Sequence, residues 1–121
     1  RTEYVRQRVT NNIRTRSNGE SALQYFQHQI RSDALYLLDE PENSLSAEKQ
    51  ILLAEFLEQS ARFYGCQLVI ATHSPFLLAM KGARIYDLDT VPVDTAAWTE
   101  LPNVRMYYDF FQKHRDEFEE D

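Results

Sequence analysis

The 121-residue sequence predicts a single α/β domain, a mostly parallel sheet flanked by helices. Three observations carry that expectation. Residues 34–38 form a short uncharged run that ends in Asp39, Glu40 and the breaker Pro41. Gln67, Leu68, Val69, Ile70 and Ala71 form a second apolar run, ending in Thr72, His73, Ser74 and Pro75. Between them, residues 47–64 repeat apolar positions at helical spacing. Short apolar runs bounded by breakers suit strands covered on both faces, as in a parallel sheet.

Asp39 and Glu40 stand at the C-terminal tip of the first strand, where open α/β sheets bind ligands. Successive strand side chains point to opposite faces, so the two carboxylates are expected to divide their work. One holds a cation while the other faces a reacting water, a division suited to nucleotide hydrolysis.

Composition narrows the class. Apolar residues make up 43% of the chain, close to the globular average, and the length allows one domain but not two. The formal net charge of −6 argues against broad nonspecific binding to nucleic acid. The charge is uneven: residues 1–16 hold Arg1, Arg6, Arg8, Arg14 and Arg16 against Glu3 alone, and six acids crowd residues 109–121. A basic arm of this kind could touch phosphate, but it reads first as a solvated segment. Cys66 is the single cysteine, so there is no disulfide framework and no cysteine-based metal site. No apolar run approaches the ~20 residues of a membrane span, and a cytoplasmic protein is expected.

Taken in order, residues 1–16 carry only Val5, Val9 and Ile13 as an apolar stripe and are expected to be weakly structured. Ser17, Asn18, Gly19 and Glu20 then open a helix over 21–31 that places Leu23, Phe26 and Ile30 on one face. A helix start with a hydroxyl, a glycine and free N–H groups is also an anion site. After the first strand, Ser46 reads as an N-cap with Glu48 in the first turn, and Gly65 closes the long helix as its C′ residue. Ile51, Ala54, Leu57, Ala61 and Tyr64 form that helix's expected buried stripe. Ser74 caps a short helix with Pro75 in first position, running to Gly82. Residues 84–89 alternate as a third strand nearer an edge. Residues 90–102 read as a loop packed down by Trp98, and Val104, Tyr107, Tyr108, Phe111 and Phe118 as the core stripe of a closing helix that frays beyond it.

Four of these segments resemble the ABC-type ATPases. Leu35-Tyr36-Leu37-Leu38-Asp39-Glu40 is similar to that family's Walker B strand. Ser17-Asn18-Gly19-Glu20 resembles its signature motif, one helix upstream, with Arg16 and Asn18 departing from the transporter form toward soluble, AAA-like relatives. Asn43-Ser44-Leu45-Ser46 occupies the place of the D-loop, with Leu45 alone in register, and His73 resembles the switch histidine. Together the motifs cover residues 17–86 in family order.

The resemblance implies a partial P-loop NTPase fold, ATP and Mg²⁺ as cofactors, and a site formed between two head-to-tail domains. Asp39 would hold Mg²⁺, Glu40 would orient and deprotonate water, and His73 would steady the γ-phosphate. Ser17, Asn18, Gly19 and Glu20 would reach nucleotide across the interface, with Asn43, Ser44, Leu45 and Ser46 lining it. No Gly-x-x-x-x-Gly-Lys-Ser/Thr occurs in the 121 residues, whose only glycines are Gly19, Gly65 and Gly82. The chain is therefore expected to be the C-terminal part of one ATPase domain: a basic arm (1–16), a motif-bearing core (17–89), and a loop with a closing helix (90–121). It is expected to need its N-terminal half, or a second copy, and to be inactive alone. Competing readings are a degenerate dimerisation or scaffold module and an ATPase subunit of a DNA-repair or phage-defence system.

Overall fold

A computed structural model describes residues 2–4 and 33–119. The expectations for Ser17, Asn18, Gly19, Glu20 and the helix over 21–31 lie outside the described residues. The chain divides into two compact units, Arg1–Gly82 and Ala83–Asp121.

The first unit is built on a three-stranded parallel sheet in the order β1 (Thr2–Tyr4), β2 (Leu35–Asp39), β3 (Gln67–Ala71). Thr2 pairs with Leu35 and Tyr4 with Leu37, while β2 runs beside β3 from Leu35↔Gln67 to Asp39↔Ala71. The α/β expectation holds: this is a small parallel sheet flanked by helices. Residues 1–16, expected to be weakly structured, contribute β1. A central strand needs hydrogen-bond partners along both of its sides, and β1 supplies the second side of β2.

Helix α1 (Ala47–Phe63) joins β2 to β3. Ser46 caps it as expected, its hydroxyl accepting from the Lys49 N–H at 3.3 Å. At the other end the Tyr64 N–H donates to the Ser60 carbonyl, and Gly65 follows at φ +67°, the left-handed conformation of a C′ residue. The buried stripe is Leu53, Ala54, Leu57 and Ser60, whereas Ile51, Ala61 and Tyr64 are exposed. The helix is thus turned from the expected face. Ser60 disguised the true stripe, and it is tolerated there because its hydroxyl donates to the Phe56 carbonyl at 2.9 Å.

Ala34, Tyr36 and Leu38 send one face of the first apolar run into a core with Leu45, Leu53, Ala54, Leu57, Cys66 and Leu77. The expectation of strands buried on both faces is corrected. Leu35, Leu37 and Asp39 are half-buried, and β3 alternates outright, with Gln67, Val69 and Ala71 exposed. Val69 retains 55% of its surface. A parallel strand loses both faces to the interior only where helices cover both. Helix α2 (Pro75–Leu78) follows β3, with Pro75 in its first turn, and stops short of the expected Gly82.

In the second unit the expected strand over 84–89 shrinks to β4 (Tyr86–Asp87), paired antiparallel with β5 (Asp94–Thr95) in a separate two-stranded sheet. Asp87 ends it: its carboxylate accepts the Asp89 N–H at 2.9 Å and its carbonyl the Thr90 hydroxyl at 3.0 Å, which closes a turn. The expected loop over 90–102 therefore contains β5 and a 3₁₀ turn, Trp98–Glu100. Trp98 itself is exposed. The closing helix is two, α3 (Pro102–Lys113) and α4 (Arg115–Phe118), separated at His114. Of its expected core stripe only Val104 is buried; Tyr107, Tyr108, Phe111 and Phe118 are exposed. Phe111 and Phe118 instead meet edge to face at 6.0 Å between centroids. Among the described residues no helix is long and apolar enough to cross a membrane.

Two outcomes follow for stability. A Cβ at Gly65 would sit 2.6 Å from Asp33 Oδ1 in a backbone conformation that L-residues resist. Gly65→Ala should cost about 1–2 kcal/mol in chemical denaturation. The buried Cys66 thiol is held above its ordinary ionisation range by burial, with the Asp33 charge adding to this and a backbone hydrogen bond to Ala34 opposing it. The unfolded thiol loses its proton from about pH 8.5, and the folded one keeps it to higher pH. Above about pH 8.5 the folded state therefore binds more protons, and stability falls as pH rises. Comparing urea midpoints at neutral and alkaline pH should show a smaller alkaline loss in Cys66→Ala than in the parent.

Candidate active site at the sheet's C-terminal edge

The parallel register decides what meets at this edge. Asp39 is level with Ala71, and the Glu40 N–H donates to the Ala71 carbonyl at 2.7 Å. The acidic strand end and the Thr72-His73-Ser74 loop consequently leave the sheet side by side. Asp39 is half-buried as the last residue of β2, while Glu40 and His73 are exposed.

Strand alternation does not separate the two carboxylates, as the sequence reading supposed. β2 ends at Asp39, and Glu40 adopts φ +49°. A left-handed non-glycine residue costs of order 1–3 kcal/mol and survives only where its surroundings impose it. Here the surroundings are tight. Pro41 is fully buried, the Asn43 N–H donates to the Glu40 carbonyl at 3.1 Å, and the Leu45 N–H donates to the Glu42 carbonyl at 3.0 Å. Ser44 is likewise left-handed at φ +69°.

The four D-loop positions fall into different environments. Asn43 and Ser44 are exposed, Leu45 is packed in the core, and the Ser46 hydroxyl is engaged as the α1 cap. Ser17, Asn18, Gly19 and Glu20 are not among the described residues.

Two residues that the sequence reading passed over tie this edge together. Glu42 accepts the Thr72 hydroxyl at 2.6 Å through Oε1 and the His73 N–H at 3.2 Å through Oε2. Gln50, on the first turn of α1, accepts the Ser74 hydroxyl at 2.6 Å and donates to the Leu45 carbonyl at 2.9 Å. Ser74 is buried and also accepts from the Leu77 N–H at 3.4 Å, capping α2. Thr72 Oγ1 accepts the Ser74 N–H at 3.0 Å. The signal for Glu42 was a third acid just beyond Asp39-Glu40-Pro41; for Gln50, a polar residue one turn past an N-cap.

Mg²⁺ is satisfied by one or two carboxylates completed by water and substrate phosphates, not by a cage of protein ligands. Asp39 at a strand tip fits that donor chemistry. Among the described residues no cluster of three or more His, Cys, Asp or Glu could hold a metal.

A small parallel sheet flanked by helices, with an acidic tip on one strand and a polar loop on the next, is an α/β architecture consistent with a partial P-loop NTPase fold. The family model described as "AAA domain, putative AbiEii toxin, Type IV TA system" matches residues 6–79, more than half of the chain and the whole span from β2 through α2. The chain belongs to this AAA-domain family, whose members generally bind nucleotide with Mg²⁺. No curated protein matches it.

The Ser74 hydroxyl serves a helix cap and the Gln50 amide at once, within a buried position. Ser74→Ala should therefore destabilise the protein by about 1–2 kcal/mol in equilibrium denaturation, with secondary structure retained.

Proposed function

We propose that the chain is the ATP-binding and ATP-hydrolysing module of a soluble, cytoplasmic ABC-type ATPase. It would act with a phosphate-binding loop supplied from outside these 121 residues. The observation that carries this is the register that sets Asp39 and Glu40 beside Thr72-His73-Ser74 at one sheet edge. In this reading Asp39 holds the metal-side position. Mg²⁺ held there would supply charge neutralisation at the nucleotide's phosphate oxygens. Glu40 orients the attacking water and accepts its proton, and its strained left-handed backbone is the kind of feature that collects at working sites. His73 donates to the γ-phosphate as charge develops there.

The exposed Asn43 and Ser44 are available to a second, head-to-tail domain, which would bring its signature segment to the same nucleotide. Ser17, Asn18, Gly19 and Glu20 would play that part from this chain. The matched family's description names a putative toxin of a type IV TA system, which favours a non-transporter role for the ATPase.

The test uses the full-length protein, assembled with whichever segment or subunit supplies the phosphate-binding loop. Glu40→Gln keeps the side chain's size and removes the base, so hydrolysis should fall ~10²–10⁴-fold while nucleotide binding survives. Asp39→Asn should lose Mg²⁺-dependent nucleotide binding together with turnover. Equal, modest losses from both substitutions would reduce the pair to a solvated acidic strand end.

A further inference from the structure

We propose that Glu42 is a positioning residue that makes the placement of His73 depend on the turn carrying Glu40. The kinetic part of this proposal rests on the ATPase reading above; the structural part does not.

The geometry has three parts. The turn over 40–45 is held at both ends, by the bond from the Glu40 N–H to the Ala71 carbonyl and by Leu45 in the core. The buried Pro41 and the two internal backbone bonds leave it little freedom between those anchors. From this turn the Glu42 carboxylate uses one oxygen on the Thr72 side chain and the other on the His73 backbone. A carboxylate committed to two donors in this way fixes direction as well as distance, because a shift that improves one bond strains the other.

Downstream, Thr72 accepts the Ser74 N–H, and Ser74 is clamped by Gln50 on α1. The loop is therefore gripped at consecutive residues, and its backbone at His73 is held by Glu42. Through the Glu42 side chain, a displacement of the Glu40 turn acts directly on the His73 backbone, beside the Glu40–Ala71 bond that joins the two strand ends. The consequence for the reaction is that the base and the γ-phosphate ligand move together, or not at all.

Two measurements on the full-length protein test this. In Glu42→Ala, amide hydrogen exchange at His73 should accelerate about 10–100-fold, the worth of a lost charge-assisted hydrogen bond, while protection in β2 and α1 is retained. In the assembled ATPase, kcat should fall by a similar factor with KM for Mg-ATP moved less than about threefold, as expected when a group is misplaced in the transition state rather than lost from binding. Thr72→Val should act in the same direction, and the double variant should be no worse than the more severe single one. Glu42→Gln should recover part of the rate, because its amide oxygen still accepts the His73 N–H. Glu58→Ala, which removes a carboxylate bonded to the Lys81 N–H elsewhere on the unit, is the matched control.

Unchanged exchange at His73 in Glu42→Ala overturns the proposal, as does a uniform rise across β2 and α1, which would mark a general stabilising role. A rise in KM without loss of kcat overturns it as well. If the parent protein hydrolyses no ATP, the ATPase reading fails, and the exchange data alone decide the role of Glu42.

Discussion

The pairing of β2 with β3 in parallel, ending where the Glu40 N–H meets the Ala71 carbonyl, is the constraint on which the first unit depends. Parallel strands side by side put both of their C-terminal tips at one edge, so Asp39 and Ala71, far apart in the chain, leave the sheet as neighbours. Everything at that edge then has to be accommodated within a few ångströms. The chain meets this with a left-handed Glu40, a buried proline and a carboxylate that bridges to the next loop. The helix between the strands contributes to the same edge through Gln50, which donates to the Leu45 carbonyl and accepts the Ser74 hydroxyl.

Much of this was legible in the sequence because it rests on local rules. The two apolar runs, the breaker Pro41, the Ser46 cap and the Gly65 stop each reflect a backbone preference that acts within a few residues. What escaped was decided across the fold. The buried face of α1 depends on Ser60 satisfying its hydroxyl internally, so an apolar stripe drawn through Ile51, Ala61 and Tyr64 pointed elsewhere. The exposure of Val69 depends on which sheet face a helix covers, a matter of tertiary packing that strand composition cannot express.

The candidate site shows the same division. Asp39, Glu40 and His73 were visible because charged and imidazole side chains at strand ends stand out against apolar runs. Glu42 and Gln50 were not, because their significance lies in partners 31 and 24 positions away in the chain, at His73 and Ser74. Glu40 lies one residue beyond the end of β2, where the alternation of strand side chains no longer applies. A left-handed turn, not pleating, sets Glu40 apart.

The chain's single tryptophan and single cysteine fall in different units: Trp98 in the second, exposed on its 3₁₀ turn, and Cys66 in the core of the first. The molecule thus carries two intrinsic reporters with no overlap. Indole fluorescence follows the local environment of the C-terminal unit, and thiol accessibility follows the integrity of the sheet-bearing one. Whether the two melt as one cooperative block or in sequence is written into the protein's own spectroscopy, with no label added.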